Sequence, residues 1–250
     1  MNQDNDLRLA VLIDADNIPS SNIEGMLEEV TKYGTPTFKR IYGDWTKPNL
    51  NGWKSVLLEN AITPIQQYGY TTGKNATDSA MIIDAMDILY SGRVDGFCLV
   101  SSDSDFTRLA TRLREAGMKV YGIGEKKTPI AFISACNKFI YLEILEKQQS
   151  TDDELDKKNQ KSTSKTTVSK IDSRLIKFIT ESIEDLADDD GWAFVGALGS
   201  HLLKKQPNFD PRNYGHSKLV PLLKEIKKFS IDERSSGKEH IKNVYVKLKS

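Results

Sequence analysis

The sequence is poor in the residues that build zinc sites, disulfide frameworks and membrane spans. Its 250 residues include only two cysteines, Cys98 and Cys136, and three histidines, none of them closely spaced. This scarcity argues against a zinc site or a disulfide framework and favours a reducing compartment. No run approaches the roughly 18 apolar residues of a membrane span, and the polar first residues are unlike a signal peptide. The sequence therefore predicts a cytoplasmic protein without a membrane partner.

The sequence also has no formal net charge at pH 7. Lys plus Arg and Asp plus Glu both number 35, so no overall basic excess points to nucleic acid. The balance hides a division, because residues 1–146 carry 15 basic and 19 acidic side chains, whereas residues 170–250 carry 15 and 12. Partners must therefore be inferred from local groups of residues, and the oligomeric state is left open.

A polar segment divides the sequence in two. Residues 147–170 read KQQSTDDELDKKNQKSTSKTTVSK, without an aromatic residue and with only Leu155 and Val168 as sizeable apolar side chains. Such a segment buries too little surface to offset the entropy of ordering it. We predict a flexible linker here, with an exposed helix as the alternative. Residues 1–146 then form one domain and residues 171–250 a second.

Strand-like apolar runs alternate with helix-like periods in the first domain. The predicted strands are 8–13, 37–43, 62–68, 96–102, 119–124 and 139–143. The predicted helices between them are 22–33, 53–61, 78–90, 105–116 and 129–136. This alternation predicts an α/β fold with a doubly wound parallel sheet, covered by helices on both faces. In such folds the functional site lies beyond the carboxyl ends of the strands.

Acidic residues follow two of the most apolar strands. The run LAVLI leads into Asp14, and the run CLVSS leads into Asp103 and Asp105. These three acids are therefore expected at the carboxyl edge of the sheet. Asp78 is expected there too, because it falls on the apolar arc of the third helix, in its first turn. The sequence thus predicts four carboxylates at one edge.

These four carboxylates are typical of a metal site. Crowded carboxylates repel one another by several kcal/mol, so a fold retains them where a cation offsets the repulsion. Oxygen ligands without histidine or cysteine suit Mg²⁺ or Mn²⁺. We predict that Asp14, Asp78, Asp103 and Asp105 bind this metal. The metal site then catalyses the attack of water on a phosphodiester bond. The alternative is structural, since an aspartate at a helix start also serves as a cap.

The same residues resemble a known family. VLIDADN, TDSAMIIDAMD and LVSSDSDF are similar to the motifs of the NYN family of PIN-related nucleases, and the resemblance extends from Leu9 to Leu145. It implies a PIN-like fold and metal-binding roles for the four aspartates, with Asn17 and Ser102 in support. We assign Asn17 and Ser102 to substrate binding. It also implies an endoribonuclease that prefers single-stranded RNA.

Two other functions fit parts of the sequence. DADNI resembles the first motif of haloacid-dehalogenase phosphatases, but Ile18 stands where that motif has Thr or Val, and Asp78 would have no role. The second alternative is a non-cleaving regulator that binds RNA or protein and retains the metal ligands. Metal-dependent cleavage of single-stranded RNA distinguishes the nuclease from this regulator.

Trp45 and Lys74 are further candidate substrate contacts of the first domain. Trp45 follows the second strand in a segment that mixes cations with aromatic residues, and its ring could stack on an unpaired base. Packing against the core is its alternative. Lys74 lies four residues before Asp78, from where its ammonium could reach a phosphate or a site carboxylate.

Periodic apolar positions return after residue 170. Three helical stripes, around residues 175–186, 194–203 and 219–226, precede two strand-like segments at 228–233 and 241–249. Three helices and a β-hairpin in about 80 residues predict a small winged-helix (α+β) domain. Lys224, Lys227 and Lys228 fall on the helix face opposite the leucines, where they are either solvated or in contact with RNA.

The second domain also resembles a known family. NYGHSKLVPLLKEI is similar to the LOTUS domain, also called OST-HTH, through its Tyr-Gly-x-x-Lys-Leu pattern at Tyr214, Gly215, Lys218 and Leu219. The resemblance implies RNA binding, to which we assign Lys218, and a protein partner for some members. The sequence thus predicts a nuclease domain followed by an RNA-binding domain with a possible role in protein binding.

Overall fold

The computed structural model describes residues 6–68, 76–145, 169–235 and 242–249. The chain divides into two compact units, Met1–Lys161 and Ser162–Ser250. The division falls inside the predicted linker, of which only residues 169 and 170 belong to the described part of the chain. Lys74 also lies outside the described residues. No helix in the described part is long and apolar enough to cross a membrane.

The first unit is built on a six-stranded parallel sheet with the strand order β3-β2-β1-β4-β5-β6. The strands are β1 (Arg8–Asp14), β2 (Thr35–Gly43), β3 (Thr63–Gln66), β4 (Gly96–Val100), β5 (Lys119–Gly124) and β6 (Lys138–Tyr141). The helices that connect them are α1 (Ile23–Thr31), α2 (Trp53–Glu59), α3 (Ala76–Tyr90), α4 (Thr107–Glu115) and α5 (Ile130–Ala135). The predicted α/β fold with a doubly wound parallel sheet is confirmed.

The alternation of side chains along β1 explains why both faces of the sheet are covered. Leu9, Val11 and Ile13 pack into a core with α1 and α2. Ala10 and Leu12 point the other way and pack into a second core with α3, α4 and α5. Successive residues of a strand face opposite sides, so an unbroken apolar run such as this one needs a helical layer on each side.

The strand order places the predicted site at the centre of the sheet. Strands β1 and β4 are hydrogen-bonded neighbours, and from them the order runs outward in opposite directions. Crossovers on the two sides therefore cover opposite faces, which leaves a crevice at the carboxyl ends of β1 and β4. Asp14 is the last residue of β1 and continues the alternation of Ala10 and Leu12, on the side of α3.

The second unit contains three helices and a small antiparallel sheet. The helices are α6 (Ser173–Glu184), α7 (Val195–Lys205) and α8 (Leu219–Glu225). The strands β7 (Ala193–Phe194), β8 (Phe229–Ser235) and β9 (Lys242–Leu248) pair in the order β7-β9-β8. The predicted small winged-helix domain is confirmed. Strand β7 was not predicted, because two residues are too few to show a periodic pattern.

Candidate metal centre

Asp14 ends β1 as a buried carboxylate with three hydrogen-bond donors. Only 1% of the residue is exposed. Asn17 Nδ2 and Ser101 Oγ donate to its Oδ2 at 2.5 and 2.9 Å, and the backbone N–H of Asp16 donates to its Oδ1 at 3.1 Å. Burial raises the pKa of Asp14, and the three hydrogen bonds oppose that rise. The donors hold the carboxylate at the carboxyl end of a central strand.

Asp78, Asp103 and Asp105 form the acidic cluster of the first unit. Each offers a carboxylate oxygen that lies within 4.8 Å of the oxygens of the other two. Asp78 comes from the first turn of α3, and the other two come from the loop after β4. Asp78 and Asp103 are half-buried, whereas Asp105 is exposed. The α3 helix and the β4 loop therefore bring three of the four predicted carboxylates together.

The capping alternative explains only part of this arrangement. Asp103 precedes a 3-10 turn, Ser104–Phe106, and its Oδ1 accepts a hydrogen bond of 2.9 Å from the backbone N–H of Asp105. Asp103 is thus a cap. Asp78 lies inside α3, which covers Ala76–Tyr90, and so does not occupy a capping position. Capping does not account for the gathering of three carboxylates around one point.

The cluster is unfavourable for its own charges. The pKa of Asp78 is raised to about 6, first by burial and then by the charges of Asp14, Asp103 and Asp105. The charge of Asp14 therefore acts on Asp78, although Asp14 is not one of the three residues whose oxygens meet within 4.8 Å. Two carboxylates about 5 Å apart repel by about 3 kcal/mol at an effective dielectric of 20. A bound cation would reverse the sign of these interactions.

The donor set fits a hard divalent cation. The cluster offers carboxylate oxygens alone, with no histidine or cysteine among its described members. Both cysteines are buried as free thiols in the core. Oxygen ligands of this kind are the ones that Mg²⁺ and Mn²⁺ prefer. Since Asp105 is exposed, a large substrate such as a nucleic acid could reach a cation held there.

Two neighbouring serines divide the supporting contacts. Ser101 Oγ donates to Asp14 and accepts a hydrogen bond of 3.1 Å from the backbone N–H of Asp103. Ser102, the serine singled out from the sequence, accepts a hydrogen bond of 2.9 Å from the backbone N–H of Glu125. The contact of Ser101 with Asp14 was not predicted, because it depends on the register of the two strands. Val100 pairs with Ile13, so the next residues, Ser101 and Asp14, lie side by side. A substrate role for Ser102 stays a prediction.

Trp45 packs as its core alternative predicts. Its indole N–H donates to the carbonyl oxygen of Ile65 at 3.0 Å, and its backbone N–H donates to Gln66 Oε1 at 3.0 Å. The ring is half-buried against the core on the side of α1 and α2. These contacts fix the ring beside the end of β2. Stacking of its exposed part on a base stays a prediction.

Asp84 anchors helix α3 to strand β2. Its carboxylate accepts hydrogen bonds from the guanidinium of Arg40 and from the hydroxyl of Tyr42. Tyr42 is buried and pairs with Asp14 across β1 and β2. Burial and the charge of Asp84 raise the pKa of Tyr42, which keeps its hydroxyl protonated as a donor. Because Asp78 is on the same helix, this anchor fixes how α3 presents Asp78.

The predicted RNA-contacting lysines lie on the surface of the second unit. Lys218, just before α8, is exposed, as are Lys227 and Lys228. The prediction that Lys224, Lys227 and Lys228 share one helix face is wrong, because α8 ends at Glu225 and the last two lysines follow it in a turn. Lys224 is also exposed, but its ammonium lies 3.3 Å from a carboxylate oxygen of Glu233. An exposed ion pair of this kind contributes about 0–1 kcal/mol, yet it offsets one of the four positive charges. RNA contact stays a prediction for all four lysines.

Comparison with known families gives a match in each unit. The profile of the NYN domain matches residues 8–143, and the profile of the OST-HTH/LOTUS domain matches residues 166–241. NYN domains are nucleases, and OST-HTH/LOTUS domains bind RNA. NYN and PIN-like nucleases generally use divalent metals. Both resemblances seen in the sequence are confirmed.

Solved structures from three bacteria are similar to this chain. A protein of unknown function from Vibrio parahaemolyticus shares 21% identity over 56% of this chain and 94% of that chain, with a TM-score of 0.47. An uncharacterized protein from Nitrosomonas europaea shares 34% identity over 37% of this chain and 93% of that chain, with a TM-score of 0.30. A protein from Chromobacterium violaceum shares 34% identity over 33% of this chain and 87% of that chain, with a TM-score of 0.26. No curated protein matches.

Proposed function

The chain belongs to the NYN domain family, and we propose that its first unit is a metal-dependent endoribonuclease that hydrolyses single-stranded RNA. The observation that carries this proposal is the meeting of Asp78, Asp103 and Asp105 within 4.8 Å at the crevice between β1 and β4. Three carboxylates gathered there, with a fourth buried nearby, need a cation to offset their repulsion.

Asp78, Asp103 and Asp105 would hold Mg²⁺ or Mn²⁺, with Asp14 as the fourth carboxylate of the site. When bound, the ion activates water and stabilises negative charge on the phosphate that is attacked. The aspartates must be ionised to hold it. The pKa of Asp78 is raised to about 6 and that of Asp14 is also raised, so protonation of either residue would oppose binding of the cation as the pH falls.

The surrounding side chains keep these carboxylates in place. Asn17 and Ser101 orient Asp14 through hydrogen bonds to one of its oxygens. The ion pair between Asp84 and Arg40 fixes α3, which carries Asp78. A site held by such supports loses little energy to rearrangement during the reaction. The supports follow the central strands β1 and β4 or, as Arg40 does, lie on β2, so several strands of the sheet determine the geometry of the site.

The second unit supplies RNA binding in this proposal. OST-HTH/LOTUS domains bind RNA, and residues 170–250 carry 15 basic against 12 acidic side chains. The first unit, with its acidic excess, attracts RNA poorly away from the metal. Joining the two raises the concentration of RNA at the nuclease site without adding a catalytic group.

The test is cleavage by the purified full-length chain. The substrates are a labelled linear single-stranded RNA, a covalently circular RNA of the same sequence, and the linear RNA annealed to its complement. Each is incubated with Mg²⁺ or Mn²⁺, with and without excess chelator. We expect internal cuts in the linear RNA, opening of the circle, slower cutting of the duplex, and complete loss of activity with chelator.

Each arm of this experiment addresses one part of the proposal. If the circular RNA stays intact while the linear RNA is shortened, the enzyme is an exonuclease and not an endonuclease. Cleavage that continues in excess chelator would show that the reaction does not depend on a divalent metal. RNA that is bound but stays intact in both metals would favour the non-cleaving regulator.

A further inference from the structure

The sheet of the second unit has one face toward the core and one face away from it. Ala193 and Val246 pair across β7 and β9, and both are fully buried. Side chains alternate between faces along a strand, so the residues next to these two point outward. The outer face therefore carries three aromatic rings and two cations, which we call the aromatic face: Trp192, Phe194, Arg234, Tyr245 and Lys247.

These five side chains form one contiguous group. The guanidinium of Arg234 lies 4.2 Å from the ring centroid of Tyr245 and 5.2 Å from that of Trp192. Lys247 Nζ lies 5.0 Å from the Trp192 ring, and the rings of Phe194 and Tyr245 are 5.7 Å apart. Such cation–π and aromatic contacts hold the side chains in a common layer.

The aromatic face remains open to solvent. Phe194 is 44% exposed, and the rings of Trp192 and Tyr245 are half-buried. Three partly exposed rings with a guanidinium plane among them have the composition of surfaces on which unpaired bases stack.

Uncompensated lysines lie at one end of this face. The backbone N–H of Lys249 donates to the carbonyl oxygen of Lys228 at 2.9 Å. These residues lie two positions from Lys247 and Ser230, respectively, which pair across β8 and β9, so the alternation of side chains places Lys228 and Lys249 on the same face as this pair. Both are exposed, as is Lys227. Among the residues that the structure describes, no carboxylate forms an ion pair with Lys227, Lys228 or Lys249. They are available to phosphates.

Arg234 has a different role from these lysines. Its Nε donates to a carboxylate oxygen of Asp232 at 2.8 Å, and Asp188 also acts on its charge. The two carboxylates offset the guanidinium charge, so Arg234 contributes mainly a flat surface for stacking. Phosphate binding therefore falls to the lysine end of the sheet and base stacking to its centre.

We propose that the aromatic face binds an unpaired stretch of RNA, with bases stacked on Trp192 and Phe194 and with phosphates held by Lys227, Lys228 and Lys249. The choice of RNA rests on the proposed function. The proposal moves the main RNA contact of this unit from the outer face of α8 to the outer face of the sheet. It predicts a preference for single strands, because paired bases do not offer their ring faces.

The test measures binding by the full-length chain in excess chelator, so that RNA is bound but not cut. A labelled single-stranded RNA of about 12 nucleotides, within the usual site sizes, is titrated and followed by fluorescence anisotropy. We expect Trp192→Ala and Phe194→Ala each to raise Kd about 5- to 150-fold, the range that corresponds to the loss of one base stack. Lys228→Gln should weaken binding and reduce its dependence on salt.

Two variants serve as controls. Trp192→Phe keeps a ring at the position and should retain most of the affinity. Tyr90→Ala removes an exposed ring from α3 in the other unit and should leave Kd unchanged. Crosslinking of unmodified protein to RNA that contains 4-thiouridine avoids any change of fold, and we expect the crosslinks at residues 192–194 and 245–247.

The outcomes separate this inference from the proposed function. If the wild-type chain cuts and binds RNA, but both alanine variants bind as tightly and the crosslinks fall on residues 218–224, the inference is wrong and the nuclease stands. If the wild-type chain cuts RNA but binds none in chelator, the inference is also wrong. If Kd is unchanged and Trp192→Ala instead loses a co-purifying protein, the face belongs to that protein.

Discussion

Ser101 Oγ donates a hydrogen bond of 2.9 Å to Asp14 Oδ2, from the residue after β4 to the last residue of β1. These strands are the two central neighbours of the sheet, and the order of the remaining strands departs from them in both directions. The bond thus joins the two halves of the fold at the point where the acidic cluster lies. Its removal affects both the orientation and the protonation of Asp14.

We predict that Ser101→Ala shifts the pH profile of cleavage. Hydrogen bonds to the ionised carboxylate oppose the effect of burial on Asp14, so loss of one donor raises its pKa further. The acidic limb of the rate profile should move to higher pH. Ser102→Ala is the matched control, because Ser102 contacts the backbone of Glu125 instead. Identical acidic limbs in the two variants would contradict the role assigned to Ser101.

The raised pKa of Asp78 predicts how stability depends on pH in the absence of metal. The pKa is about 6 in the folded protein and about 3.9 in an unfolded chain. Between these values the folded state binds more protons, so the free energy of unfolding increases as the pH falls from about 6 to 4, and decreases as it rises. Urea denaturation of wild type and Asp78→Asn in chelator isolates this contribution. Parallel curves for the two proteins would show that Asp78 titrates normally.

The anchor between Asp84 and Tyr42 predicts a coupled loss of stability and activity. Tyr42→Phe removes a buried donor and leaves a carboxylate oxygen without it, which costs about 1–3 kcal/mol. We expect a lower urea midpoint and a lower kcat, because α3 carries Asp78. Tyr68→Phe removes a hydroxyl from an exposed ring and should change neither quantity. A Tyr42→Phe protein with normal kcat would limit the anchor to a structural role.

The gathering of the aspartates could be predicted because it depends on simple rules. Parallel strands end at one edge, so acids that directly follow β1 and β4 meet there. Asp78 followed from the apolar periodicity of its helix. The anchoring role of Asp84 could not be predicted, because its partners Arg40 and Tyr42 lie on a strand more than 40 residues away in the sequence.

The support by Ser101 and the aromatic face could not be predicted for physical reasons that differ. The choice between Ser101 and Ser102 depends on the register of two strands that are 87 residues apart in sequence, and apolar patterns do not fix that register. The aromatic face depends on β7, a strand of two residues. Only the pairing of Phe194 with Tyr245 on β9 brings its rings together.

The lysine end of the second unit predicts a change in substrate affinity without a change in chemistry. Lys228→Glu in the full-length chain should raise KM for single-stranded RNA and leave kcat nearly unchanged. The slope of log KM against log salt should become shallower, because fewer counterions are released on binding. Lys204→Glu makes the same charge change at another exposed position and is the matched control. Equal KM values for both variants would argue against this site.

Cleavage by Asp103→Asn tests the central claim most directly. The substitution removes one ligand charge but keeps the oxygen that accepts from the backbone of Asp105, so the fold is expected to survive with equal or higher stability in the absence of metal. Asp87→Asn removes a charge from an exposed position on α3 and is the control. In Mg²⁺ or Mn²⁺ we predict that Asp103→Asn leaves single-stranded RNA intact while Asp87→Asn cuts it at the wild-type rate. A folded Asp103→Asn protein that cuts at the wild-type rate would contradict the account.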